Sequence, residues 1–339
     1  MAGGPSTPAL AAAVCEAGGF GFLAAGYKSA EGVREEVTGL REQTSRPFGV
    51  NVFMPPGAAA DSAEVDAYAQ RLASFADQAG VELGEPRFDD DEFEAKCSLL
   101  AADPPAVVSF TFGCPAETLV EELRGAGAEV WVTVTDAEEG ATAARAGADA
   151  LVVQGTEAGG HRGSFVDRPE RVDYGLLALL QLVREEVELP LIATGGIATG
   201  AGIAAVLAAG AAAAQLGTAF MLCPEAATSP AHKQTLASAR PTGLTRAFSG
   251  RLARGIVNRL QAEYSAAAPL AYPQVNHLTS RLRAHGRKAG DEDVINLWAG
   301  EAHALAEARP AAEVVAKLDQ EARQALSAAA DQWPASTER

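Results

Sequence analysis

Cysteine is scarce in this chain of 339 residues, and basic side chains are outnumbered. Cys15, Cys97, Cys114 and Cys223 form no C-x-x-C pair and no metal-ligand spacing, which excludes a disulfide framework and a cysteine-built metal site. Reduced thiols in a cytoplasmic protein without a metal are the expectation. Only 27 Lys and Arg stand against 44 Asp and Glu, for a formal charge of −17. That field repels phosphate backbones and anionic lipid, so no nucleic acid and no membrane partner is expected. No basic region precedes an apolar stretch at the start, which argues against a signal peptide. The chain also lacks G-x-x-x-x-G-K-[ST] and G-x-G-x-x-G, so neither a P-loop nor a Rossmann dinucleotide site is indicated.

Charge of either sign is missing from Leu189 to Pro224, a run long enough to span a bilayer. It consists largely of Ala and Gly, which transfer weakly into lipid, and it breaks at Thr194-Gly195-Gly196 and at Gly210. "PLIATGG", "AGIAAVLAAG" and "AAAQLGTAF" read better as strand, helix and strand buried in a protein core.

What is present is a sizeable apolar fraction, 48 %, and a recurring joint. Ala126-Gly127-Ala128, Ala146-Gly147-Ala148 and Ala209-Gly210-Ala211 each end a helical pattern and lead into an apolar run. Glycine just past a helix closes the last turn in the left-handed conformation, so these phrases mark helix stops and strand starts. Repetition of that unit predicts a parallel sheet.

The predicted strands are Phe20–Ala25, Phe48–Phe53, Val107–Phe112, Val130–Thr135, Ala150–Val153, Leu191–Thr194 and Ala213–Ala219. The predicted helices are Thr7–Ala17, Ala30–Thr44, Ser62–Ala79, Ala116–Gly125, Ala137–Ala146, Tyr174–Val187 and Ala201–Ala209. Seven strands are one short of a (β/α)8 TIM barrel, and because the chain opens on a helix the missing strand would lie before Met1. A doubly wound open sheet is the structural alternative. Prolines 224, 230, 241, 269 and 273 then change the texture. Residues 1–223 are expected to form the barrel and 224–299 an inserted helical subdomain. A closing helix within 300–330, centred on Ala311–Ala328, would complete the outer ring.

Barrel chemistry sits at the C-terminal ends of strands. Asn51, Thr111, Gly113, Cys114, Gln154, His161, Gly195, Gly196, Gln215, Gly217 and Thr218 fall there. The paired glycines after one strand and the Gly-Thr turn after the next bring bare N–H groups beside a helix start. Such a cradle suits the phosphate of a nucleotide-like ligand. His161, in "VVQGTEAGGHRGSF", is one of five histidines and is flanked by glycines that let it reach over a ligand. An imidazole of ordinary pKa ~6.5 can exchange a proton near neutrality, which suits acid–base work. His232, His277, His285 and His303 read as structural or surface residues. Cys114 and Cys223 have no evident activating partner. Arg251 and Arg254, spaced i, i+3, fit an anion-binding helix face or a solvated one.

These stretches resemble the FMN-dependent nitronate monooxygenases, formerly 2-nitropropane dioxygenases. The resemblance runs from "AGGPSTPALAAAVCEAGGFGFLAAGY" through "RPFGVNVFMP", "VVSFTFGCP" and "DALVVQGTEAGGHRGSF". It continues through "PLIATGGIATGAGIAAVLAAGAAAAQLGTAF" and "TRAFSGRLARGIV". It implies a (β/α)8 barrel with non-covalent FMN contacted by Asn51, Gln154, Gly159, Gly196, Gln215, Leu216, Gly217 and Thr218. It also implies His161 as the catalytic residue, acting on a nitroalkane or its nitronate. The implied reaction consumes O2 and yields a carbonyl compound and nitrite, and the flavin carries the redox chemistry. Members of the family carry a first barrel strand, ending in something like Ala-Pro-Met, before the Ala-Gly-Gly of positions 2–4. Met1 stands where that segment would end, so the natural protein is expected to begin upstream.

The same scaffold serves FMN-dependent enoyl-acyl-carrier-protein reductases, which share the glycine-flanked histidine but use NADH. "FSGRLARG" tilts the resemblance toward the monooxygenase. A non-catalytic flavin-binding barrel is the remaining alternative, against which the retained His161 counts. A homodimer is left open.

Overall fold

The computed structural model describes residues 1–57, 60–168 and 172–332. Its ten strands are β1 (Phe22–Ala24), β2 (Gly49–Phe53), β3 (Val107–Thr111), β4 (Glu129–Val134), β5 (Ala150–Gln154), β6 (Gly160–His161), β7 (Leu191–Thr194), β8 (Ala213–Gln215), β9 (Thr242–Thr245) and β10 (Ala253–Ile256). Seven of them make one parallel sheet in the order β1-β2-β3-β4-β5-β7-β8. This sequential order is that of a curled TIM-type barrel, not of a doubly wound sheet, whose order reverses at a switch point. Among the described residues β1 and β8 remain the two edges and do not pair, so the ring is open where the strand count wanted an eighth member.

Alternation along the strands decides what faces inward. Val50 and Val52 of β2 are fully buried against the outer helices, while Asn51 between them points into the ring. The register then sets polar tips side by side: Asn51 opposite Ser109, and Gln154, Thr194 and Gln215 in one row. Helix endings follow the glycine phrases, with Gly127 at φ 105°, Gly147 at φ 88° and Gly210 at φ 94° in the left-handed region. The expected strand Ala213–Ala219 stops at Gln215, because Thr218–Phe220 turns into a short 3-10 segment.

Two helices connect β2 to β3, of which the sequence pattern found one. Ser62–Ala79 does not join the outer ring. Its Tyr68 and Leu72 pack on Ala271, Val275 and Leu278, and its Phe75 on Phe248 and Leu282. The ring position belongs to Phe93–Ala102, whose apolar residues are scattered and whose buried face includes Lys96, paired with Asp91 at 2.8 Å. No amphipathic stripe announced it.

The segment expected to be helical, 224–299, does carry helices Pro230–Leu236, Arg259–Tyr264 and Ser280–Ala289. It also carries β9 and β10, which join β6 in a three-stranded antiparallel sheet over the strand tips. Helix Ala311–Gln332 closes against Gly200–Ala208, with Val314, Leu318 and Ala322 buried and the Glu321 carboxylate accepting from Gly200 N at 3.0 Å. Among the described residues no helix is long and apolar enough to cross a membrane.

Candidate active site

One cavity of about 1480 Å3 opens at the C-terminal mouth of the ring and reaches Phe22 and Trp131. Asn51, Gln154, Gly159, His161, Gly196, Gln215, Leu216, Gly217 and Thr218 all line it. Residues spread over 168 positions of chain therefore converge because their strands are neighbours. Thr111 lines it too, whereas Gly113 and Cys114 do not.

The cradle is built from backbone. Gly195 and Gly196 take φ of 121° and 68°, so that the chain leaves β7 in a tight turn. The N–H groups of Gly196, Ile197, Gly217 and Thr218 donate to no protein group among the described residues, and all four residues line the cavity. Side chains brace the rim. Asn51 Nδ2 donates to Ser109 Oγ at 2.9 Å and Thr111 Oγ1 at 3.0 Å. Thr218 Oγ1 accepts from Gly300 N at 3.0 Å. A Cβ at Gly159 would lie 2.4 Å from Gly300 N, so only glycine fits there.

His161 does not ride on a bare, flexible loop as expected. It lies on β6, opposite Ala253 of β10, and aromatic rings wall it in. Phe112 and Tyr272 have ring centroids 5.8 Å from it and Trp298 5.5 Å. Gln154 secures the turn: Nε2 donates to His161 O at 3.1 Å, while Oε1 accepts from Arg162 Nη1 at 3.0 Å and Gly163 N at 2.8 Å. Phe112 and Tyr27, both on the cavity wall, hold positive φ of 80° and 66°. Backbone strain of this kind, about 1–3 kcal/mol each, persists where the surroundings enforce it and clusters at functional sites.

Charge around the imidazole is positive. Burial first, then the Arg251 and Arg283 guanidinium groups, hold its pKa down at about 3, against the opposing pull of Asp167. His161 is thus neutral at pH 7. Arg251 and Arg254 do not share a helix face. Arg251 is buried over the Phe112 ring at 4.1 Å, donating to the Arg162 and Ser164 carbonyls. Arg254, on β10, donates to Thr156 O at 2.8 Å and pairs with Glu301 at 3.0 Å. Burial pushes the Cys97 thiol up to about 12 and that of Cys223 to about 11, which leaves no reactive thiolate there. His232 and His303 bond to backbone carbonyls, Trp298 at 3.1 Å and Leu236 and Arg240 at 3.0 and 2.9 Å.

Sequence reasoning missed Ser249, Tyr272, Arg283 and Trp298, all cavity-lining. They sit in segments without strand-end signals. The visible clue is the SGR of Ser249 to Arg251, inside the longer stretch "FSGRLARG".

A TIM-type barrel whose strand-tip cavity is lined by free backbone N–H groups and by an imidazole between aromatic walls has the layout of a barrel enzyme's active site. The model of the nitronate monooxygenase family matches residues 1–321, and the chain belongs to that family of oxidoreductases. It is 42 % identical over 334 residues to a nitronate monooxygenase of Paraburkholderia phytofirmans, covering 95 % of this chain and 91 % of that one. A Pseudomonas aeruginosa nitronate monooxygenase is 42 % identical over 333 residues, covering 94 % of each. Among solved structures, a nitroalkane oxidase from Streptomyces ansochromogenes superposes with a TM-score of 0.95 at 50 % identity, over 97 % of this chain and 95 % of that one. FabK from Thermotoga maritima superposes with a TM-score of 0.78 at 25 % identity, over 98 % and 94 %.

Proposed function

We propose that the protein oxidises alkyl nitronates, such as propionate 3-nitronate, with O2 to a carbonyl compound and nitrite, using non-covalently held FMN. The observation that carries this reading is that the free N–H groups of the cradle and His161 line one and the same cavity. The residues fit such a group: unpaired donors at Gly196, Ile197, Gly217 and Thr218 suit a phosphate, and Gly159 keeps a side chain out of the way. Bound FMN would supply the electron-transfer chemistry.

The chain's own residues do the rest. Asn51, Gln154, Gln215 and Leu216 would contact the flavin from the strand tips. His161, unprotonated near neutrality and with a Ser249 hydroxyl at Nε2, has a free lone pair to take the proton from the acidic carbon of a neutral nitroalkane. The burial and arginine charges that keep it neutral also make it a weak base. A neutral ring gives a nitronate no cationic partner, so the anion's charge at the reacting end falls to the field of Arg251. Phe112, Tyr272 and Trp298 exclude water around the reacting carbon. The cytoplasm is the proposed compartment, given four unpaired cysteines.

The test is the absorption spectrum of the purified protein, followed by nitrite release from propionate 3-nitronate under air and under argon. Yellow protein releasing nitrite only under air is the expected result. Rapid bleaching by NADH under argon, without nitrite release, would instead favour the enoyl-acyl-carrier-protein reductase. A yellow protein inert to both would be a mere binder.

A further inference from the structure

We propose that Arg283 forms an anion subsite in the cavity and makes the enzyme prefer nitronates whose carbon chain ends in a carboxylate. The inference rests on the nitronate-oxidising reading and adds to it the residue that selects among nitronates.

Arg283 enters the cavity from the helix Ser280–Ala289. Its fork is fixed on one side: Nε donates to Thr279 Oγ1 at 2.9 Å, and Nη2 to Asn276 O at 2.6 Å and Oδ1 at 2.8 Å. Among the described residues Nη1 donates to no group and no carboxylate oxygen comes within 4.0 Å of the guanidinium. The neighbouring acids are engaged elsewhere, Asp89 with Arg87 at 3.5 Å and Asp91 with Lys96 at 2.8 Å. Arg251 differs, since its donors go to two buried carbonyls. A chain with a net charge of −17 thus keeps an uncompensated, pre-oriented cation inside its cavity.

The placement suits a second charge on a short substrate. Tyr272 has its ring 5.8 Å from that of His161 and its hydroxyl 3.4 Å from that of Tyr27. The charge of Arg283 acts on His161 and Tyr27 alike. A substrate with its acidic carbon at His161 can pass the Tyr272 ring and present its far end to Nη1. A carboxylate there gains a charge-assisted hydrogen bond from a guanidinium already held in place, with little side-chain entropy left to lose.

The experiment compares propionate 3-nitronate with propyl-1-nitronate, which has the same chain length and no carboxylate, in the flavin-loaded protein. The wild type should favour the carboxylated substrate in kcat/KM. Arg283→Gln, which keeps a donor toward Asn276 but removes the charge, should cut that preference about 10-fold or more, chiefly through KM, while Arg283→Lys retains much of it. In the wild type, succinate should compete with propyl-1-nitronate more strongly than butyrate does, a comparison that needs no variant. An unchanged preference in a folded Arg283→Gln protein, or equal inhibition by succinate and butyrate, would overturn the subsite. Failure of the wild type to release nitrite from either nitronate would instead remove the functional reading, and this inference with it.

Discussion

His161 Nε2 lies 2.8 Å from Ser249 Oγ, and the same hydroxyl reaches the Arg251 carbonyl at 3.2 Å. The serine has one proton to give. Directed to the carbonyl, it leaves Oγ as acceptor for Nε2–H, which assigns the lone pair of the ring to Nδ1. The base and its orienting partner come from segments 88 positions apart, joined by the β6–β10 pairing.

Replacing His161 by Ala should therefore lower kcat/KM on neutral nitroalkanes about 10²-fold, the low end for a positioned base, because the groups that keep its ring neutral also lower its basicity. Preformed nitronate, which needs no deprotonation, should lose far less. Nitrite assays on the two substrate forms, at equal flavin content, check the difference.

Acidity should act on activity later than an ordinary histidine would dictate. With the His161 pKa held at about 3, kcat/KM on a nitroalkane should show no inflection near pH 6.5 as the medium is acidified. An inflection near that value in the wild type, absent from His161→Ala, would contradict the assigned charge state.

Stability should respond to pH through His232. Burial first lowers its pKa from 6.5 to about 4, so the unfolded chain binds more protons between those values. The sign follows: stability is full above pH 6.5 and falls as the pH drops toward 4, by on the order of 1 kcal/mol per unit. Melting curves of the wild type and His232→Gln across that range should converge at low pH.

Gly159→Val should prevent the loop from closing on Gly300, since even a Cβ would meet Gly300 N at 2.4 Å and Ala299 C at 2.5 Å. Both are backbone atoms that cannot rotate aside. A lower melting temperature and loss of bound flavin on gel filtration are the expected outcomes.

Asp167 is the clamp on the histidine's segment. It pairs with Arg246 through both oxygens, at 2.7 and 3.0 Å, and accepts from Leu252 N at 3.0 Å. Asp167→Ala leaves a largely buried guanidinium unpaired and should cost about 3–5 kcal/mol, read from chemical denaturation.

Parts of this were legible in the chain. The glycine joints marked helix ends, and polar residues at the ends of apolar runs marked the cavity mouth, because backbone freedom and strand alternation are local properties. Phe93–Ala102 escaped because its buried face includes Lys96, whose charge is matched by Asp91 only in the fold. Arg251 and Arg254 have the spacing of a helical pair but lie on an extended chain that ends in β10, because spacing alone does not distinguish the two.

The sequence by itself determined the parallel strands of the barrel, the glycine turns at their tips and the glycine-flanked position of His161, since each depends on residues close together along the chain. Only the tertiary structure decided the state of that histidine and its company. Neutrality comes from burial and from two distant arginines, and the aromatic walls come from Phe112, Tyr272 and Trp298, which meet only when the β6–β9–β10 layer folds over the strand tips. Electrostatic fields and excluded water are properties of proximity in space, and no local pattern encodes them.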